Sequence, residues 1–410
     1  MPATVRTNGL VLTEHEFSVP LDHSRAAGER ITVFVREVSD PDGLDRPYLV
    51  FLQGGPGMEA PRPTRHPSVP GWLDRALRDF RVLMLDQRGT GRSSPIGTMP
   101  GLTAEQQADR LKLFRADSIV RDAESIRLEL GVERWSVLGQ SFGGFCAMTY
   151  LSIAPEGLCE ALIAGGAPPI GRPTDDVYAA TYRRVLDRNR QYFGRYPADR
   201  DRVLSLLRRL EVEEVWLPSG DRLTGRRFRQ LGSMLGMSDG AEHLHYILEL
   251  PAESSAFLHD AERALPFSRN PLYAVIHEAS YADGCATRWS AHRLLPADYE
   301  SPELFTGEHV YPWMFEEYGS LAPLRGAAEI LAGYTWPRLF DESVLRANEV
   351  PVAAAIYAND MYVEREFSEE TARLVRGLRA WITSEFEHNG LRAAGSRVLG
   401  HLLDLARGRA

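Results

Sequence analysis

A five-residue reversal from an apolar run into a helix constrains this chain more than any other feature. The stretch is VLGQSFGGF, Val137 to Phe145. The run RWSVLGQ before it reads as a buried strand, and GGFCAMTYLSIAPE after it reads as a helix. Gly139-Gln140-Ser141-Phe142-Gly143 therefore fits G-x-S-x-G in its strand–turn–helix setting. A turn this sharp brings neighbouring chain so close that side chains at the glycines would clash. It also holds the serine in a strained conformation that lifts its hydroxyl above the edge of a sheet. The alternative is a glycine-rich turn with an incidental serine, but the strand and helix on either side favour a nucleophile.

The rest of the chain supplies a sheet for that turn. RITVFVREV (Arg30 to Val38), PYLVFLQGG (Pro47 to Gly55) and RVLMLDQRG (Arg81 to Gly89) read as strands. The last two are unbroken apolar runs, as expected for strands covered on both faces. GWLDRALRDF and FRADSIVRDAESIRLELG have helical spacing, and EALIAGGAPP reads as a further strand. This alternation predicts an α/β fold with a mostly parallel sheet and flanking helices. From about Gly171 to Asn348 the pattern turns helical and rich in Arg, Leu and Glu, with no core strand and no internal repeat. Strand character returns at VPVAAAIYAND, then come the helix SEETARLVRGL, the strand RAWITSEFEHNG and the amphipathic SRVLGHLLDLARG. Residues 1–170 and 349–410 are thus expected to form one catalytic domain, split by an inserted helical cap over 171–348.

A serine hydroxyl needs a base, normally a histidine oriented by a carboxylate. In this strand–turn–helix class the order is Ser, then Asp or Glu, then His. Asp360 ends the strand VPVAAAIYAND and His388 follows the next one, so both fall at the sheet edge where such folds build their sites. Read singly, Asp360 is a capping aspartate and His388 a turn histidine. Their joint placement after consecutive strands favours an orienting acid and a base. His401 is the rival base, in a stretch with helical spacing. His243, His245, His277, His292 and His309 lie in the insertion with no metal-ligand pattern, and neither metal nor cofactor is expected. The oxyanion of a tetrahedral intermediate needs N–H donors. Phe142, after the serine, supplies one. The loop LQGGPG, with Gly54 and Gly55, supplies the other; read blandly, it is a Gly-Pro turn.

Composition narrows the partners. The 410 residues are 44% hydrophobic and 25% charged, with a formal charge of −9. No basic block marks a nucleic-acid footprint, and no apolar run spans a bilayer. Cys146, Cys159 and Cys285 are three, with no CxxC, which favours a reducing compartment. MPATVRTNGLVLTEHEF lacks the pattern of a secretory signal, so a soluble cytoplasmic protein is expected.

GGPG at Gly54–Gly57, DQRGTGRSS at Asp86–Ser94 and GQSFGG at Gly139–Gly144 together resemble the prolyl aminopeptidases (proline iminopeptidases) of the α/β-hydrolase superfamily, in their larger bacterial form. The resemblance continues through NPLYAVIHEASY, PWMFEEY, NDMYVE and EHNGLR. One departure is Gln53, where many α/β-hydrolases carry histidine. The resemblance implies metal-independent removal of N-terminal proline from peptides, with Ser141 as nucleophile, Asp360 orienting and His388 as base. It also implies cap glutamates that bind the substrate's free amino terminus. Glu278 matches the first such position and Glu308 is chosen for the second, with Glu316 and Glu317 as competitors. Asp86 and Arg88 are expected to brace loops. Phe142 and Tyr362 are candidate walls of the proline pocket. Two other readings stay open: an esterase, lactonase or amidase on small apolar substrates, and a non-catalytic ligand-binding protein of the same fold.

Overall fold

The computed structural model describes residues 3–25 and 27–410. Nine strands form one sheet. They are β1 (Ala3–Thr7), β2 (Leu10–Pro20), β3 (Arg30–Ser39), β4 (Tyr48–Leu52), β5 (Arg81–Leu85), β6 (Trp135–Gln140), β7 (Leu158–Ala164), β8 (Val352–Tyr357) and β9 (Leu378–Thr383). Their order across the sheet is β1-β2-β3-β5-β4-β6-β7-β8-β9. The ladders joining β5 to β4 and onward to β9 are parallel. β1, β2 and β3 are joined to one another and to β5 antiparallel.

The unbroken apolar runs have a direct structural cause. Successive side chains on a strand point to opposite faces, and here both faces are covered. Val50, Leu52, Val137 and Ile163 pack into one core with Ile119, Val120 and Phe145 from the helices Ala116–Glu129 and Phe142–Ile153. Phe51, Leu138 and Leu162 point the other way, against Trp72, Leu73, Val398 and Leu402. A strand with polar residues at alternate positions would bury them unpaired on one of these faces. β1 is the contrast: every residue is exposed, so hydrophobicity gives no sign of it, and it exists because it pairs with β2.

Between β7 and β8 the described residues form helices, joined by one isolated bridge, Trp216 to Arg222. The longest helix is Thr174–Arg195. Tyr178, Tyr182, Leu207, Phe228 and Phe305 from this stretch belong to the same contiguous core as Val137 and Phe145. These helices therefore join the core on one face of the sheet rather than packing around a core of their own.

Two charged residues of DQRGTGRSS are wholly buried. Asp86 takes both guanidinium nitrogens of Arg62 at 2.8 Å, and the N–H groups of Ala60 and Arg92. Arg88 binds Asp122 and donates to the carbonyls of Pro20, Leu21 and Leu113. Both brace loops around β2 and β5. No helix among the described residues is long and apolar enough to cross a membrane.

Candidate active site

Parallel strands deliver their following loops to one edge of the sheet. β4, β6, β8 and β9 are followed by the segments carrying Gly54, Ser141, Asp360 and His388 respectively. Residues more than 300 positions apart in sequence thus meet at one edge.

Ser141 sits between β6 and the helix Phe142–Ile153 with φ 54° and ψ −124°. A non-glycine residue holds such a backbone only where its surroundings over-determine it. The surroundings here are backbone packed on backbone. A Cβ on Gly143 would lie 1.9 Å from the Leu52 carbonyl oxygen, and one on Gly139 would lie 2.2 Å from that of Gly143. The Ser141 N–H donates to the Ala164 carbonyl at 3.0 Å, tying the turn to β7. The Phe142 N–H opens the helix and so has no intrahelical acceptor. Gly54 comes close enough that a Cβ would stand 3.1 Å from that of Ser141. The backbone at Gly54, Gly55 and Phe142 therefore flanks the hydroxyl.

Asp360 and His388 meet. His388 Nδ1 lies 2.7 Å from Asp360 Oδ2, with both side chains buried. The other carboxylate oxygen, Oδ1, accepts the N–H groups of Tyr362 at 2.8 Å and Val363 at 3.1 Å. This fixes which oxygen faces the ring. The backbone N–H of His388 donates to the Gly236 carbonyl at 3.1 Å, and the imidazole packs edge-on against Tyr362 at 4.7 Å between ring centroids. Burial works to lower the His388 pKa, but the Asp360 charge and hydrogen bond, with Glu308 adding, leave it above the ordinary histidine value. Ser141 Oγ and His388 form no direct hydrogen bond, yet both line one cavity of about 320 Å³.

Met58, Met234, Met237, Ala264 and Pro266 give this cavity apolar walls, and Glu308, Tyr273 and Tyr362 join them. Glu308 accepts a hydrogen bond from the Tyr273 hydroxyl, and its other oxygen lies 3.6 Å from His277 Nε2. Burial and the Glu308 charge hold the Tyr273 phenol well above its ordinary pKa, so it remains a donor. An anionic group with a fixed orientation thus shares an apolar cavity with a serine and an imidazole. Such an arrangement suits acyl transfer on a small, positively charged substrate.

Two of the expected side chains, Glu278 and the Phe142 ring, lie outside this cavity. Glu278 does not line this cavity. Its oxygens accept the N–H groups of Ala291 at 2.8 Å and Ser290 at 3.2 Å, and burial raises its pKa while those bonds oppose the rise. It is committed to holding the turn at Ser290. The Phe142 ring points into the core beside Phe145 rather than into the cavity. Glu316 and Glu317 are bound elsewhere, to Arg325 and to Thr224 with Arg226. Of the expected side chains, Glu308 and Tyr362 do reach the cavity. His401 packs on Trp381 along the C-terminal helix. From the sequence His277 is considered only as a metal ligand and Tyr273 is passed over, although their i, i+4 spacing places them on one helical face. Among the described residues no group of three or more His, Cys, Asp or Glu is arranged to hold a metal ion.

The family described as alpha/beta hydrolase fold matches residues 47–338. The proline iminopeptidase of Aeromonas sobria is 47% identical, over 98% of this chain and 97% of that one. The proline iminopeptidase aneH of Aspergillus aculeatus is 34% identical, over 97% of this chain and 94% of its own. The proline iminopeptidase of Neisseria gonorrhoeae is 31% identical, but over 30% of this chain and 33% of its own.

Proposed function

The chain belongs to the proline iminopeptidases of the alpha/beta hydrolase fold family, and from that premise we propose a serine exopeptidase that releases N-terminal proline from peptides through an acyl-enzyme. The observation that carries this reading is that Ser141, His388 and Glu308 line the same cavity. The cavity volume suits a small ligand.

In the proposed reaction the substrate enters with its ammonium group toward Glu308. A cation leaving water for an apolar cavity must be paired. Glu308 serves here, since it lines the cavity and Glu278 does not. Ser141 Oγ attacks the carbonyl carbon of the proline residue while His388 Nε2 takes the hydroxyl proton. Asp360 accepts the Nδ1–H and compensates the imidazolium. Negative charge gathers on the former carbonyl oxygen, beside the N–H of Phe142 and those of the Gly54–Gly55 loop. Each such donor contributes about 3 kcal/mol to the transition state. The C–N bond breaks as His388 returns its proton to the leaving amine. Water, deprotonated by His388, then attacks the ester, and proline leaves as Ser141 regains its proton.

We read residues 171–348 as the cap over this site and Tyr362 as part of the wall around the pyrrolidine ring. The three free cysteines support placement in the reducing cytoplasm.

The reading is tested by rates on free proline, free alanine and N-acetyl-proline arylamides side by side, with Ser141→Ala as a blank. Proline should be cleaved fastest, the acetylated substrate not at all, and the Ser141 variant should be inactive while folded. Equal rates with and without the acetyl group would refute recognition of the free terminus and favour a general esterase or amidase. An active Ser141→Ala would remove the nucleophile.

A further inference from the structure

We propose that Arg188 is the positioning residue that aligns Asp360 with His388, so that the register of the catalytic pair depends on how the helical segment is seated. The inference rests on the assignment of Asp360 and His388 above.

The sheet itself stops short of this pair. The β8–β9 ladder ends at Tyr357 opposite Thr383, and the Ala358 N–H donating to the Thr383 carbonyl at 2.8 Å is its last bond. Beyond that point the two loops leave the sheet, and Asp360 and His388 are carried on chain that no strand pairing registers. Apart from the edge-on packing of Tyr362 on His388, two hydrogen-bonded links join the loops directly or through one side chain among the described residues. One is the Asp360–His388 hydrogen bond itself. The other is Arg188, from the middle of the helix Thr174–Arg195.

Its Nη2 donates to the Asn359 carbonyl at 2.8 Å and also to the Glu387 carboxylate. These are the residues immediately before Asp360 and His388. The guanidinium plane is fixed from its other end, where Nη1 donates to Gln191 Oε1 at 2.9 Å, one turn along the same helix. The side chain is 13% exposed, and that of Glu387 is 21% exposed. A rigid, multi-donor group thus ties the backbone of one loop to a side chain of the other from outside the sheet. Lysine would bring a single point charge on a flexible stem and could not hold two acceptors in one plane. Misplacing reacting groups by about 1 Å costs on the order of 10²-fold in rate, which sets the scale of the effect.

The test uses the full-length enzyme on proline arylamide. Arg188→Ala should lower kcat about 10²-fold with KM within about threefold, because the cavity walls and Glu308 are untouched. Added guanidine hydrochloride at millimolar concentration should restore part of kcat. Arg188→Lys, which guards against misfolding of the alanine variant, should lose about tenfold in kcat by the same geometric argument. The control is Arg172→Ala. Arg172 also ties the start of the helical segment to the far helix, through Glu370 at 2.9 Å, but touches neither loop. It should leave kcat within about twofold of the parent, as expected for an ion pair remote from the chemistry. Arg188 variants with unchanged kcat overturn the proposal, as does a loss confined to KM or an equal loss in Arg172→Ala. An active Arg188→Ala beside an inactive Ser141→Ala removes Arg188's role and leaves the triad standing. Activity in Ser141→Ala removes both.

Discussion

Asp360→Asn should abolish turnover while leaving the fold intact, and the structure says why. Asp360 Oδ1 accepts two backbone N–H groups, from Tyr362 and Val363, and Oδ2 faces His388 Nδ1. An asparagine must choose which end carries its NH₂. Turned toward the two backbone donors, the NH₂ would leave both N–H groups unpaired in a buried site, at about 1–3 kcal/mol each. Even 2 kcal/mol in total fixes the amide about 30-fold in favour of the other orientation. The amide oxygen therefore keeps the backbone bonds and the NH₂ faces the ring. Nδ1 must then accept, the ring proton moves to Nε2, and His388 presents a donor to Ser141 where a base is needed. The equivalent tautomer error in serine proteases costs about 10⁴-fold in kcat, which is about 5 kcal/mol of activation free energy. The assay is kcat on proline arylamide, with thermal melting to verify that the preserved backbone bonds keep the fold. A loss of less than tenfold in a folded variant would refute the argument, since it would mean the carboxylate does not set the tautomer.

Three further outcomes are expected. The His388 pKa is raised above its ordinary value near 6.5, and the base must be neutral to work, so the acid limb of Ser141 labelling by a fluorophosphonate should have its midpoint above pH 6.5. Glu308→Gln should move that midpoint down, because Glu308 helps hold the proton on His388; a midpoint at or below 6.5 in the parent contradicts this. Gly143→Ala should destabilise by about 3 kcal/mol or more, since its Cβ meets the Leu52 carbonyl at 1.9 Å. Gly97→Ala, with nothing within 4 Å, should change the urea midpoint little, and equal stability of the two variants would show that the elbow can relax. Arg88→Met should cost up to about 3–5 kcal/mol in urea unfolding, because it leaves the buried Asp122 with His23 at 2.8 Å as its remaining side-chain partner and takes the guanidinium donor from three carbonyls. Arg88→Met/Asp122→Leu should recover part of that loss, and a double variant no more stable than the single one speaks against the under-compensated Asp122 charge as the cause.

What the sequence determined follows from local rules. Runs such as YLVFL and VAAAIY are apolar at every position because both faces of a parallel strand are covered, so strand identity is written in consecutive residues. The elbow is equally local, since Gly139, Gly143 and Gly144 stand where backbone meets backbone. The order Ser141, Asp360, His388 follows from strand order, and strand ends can be read. β1 was not legible, because an exposed strand exists only through its partner. The different places of Glu278 and Glu308 were not legible for a related reason. Glu278 and Glu308 both lie between β7 and β8, and nothing in their neighbours tells which meets the Ser290 and Ala291 amides and which opens onto the cavity. Arg188 looks like any other arginine of its helix until Asn359 and Glu387 are brought to it. Short-range sterics and burial fixed the strands, the turn and the strained serine on it. The partners of charged side chains were decided only by long-range packing, because a guanidinium or carboxylate binds whatever opposite group the fold brings within reach.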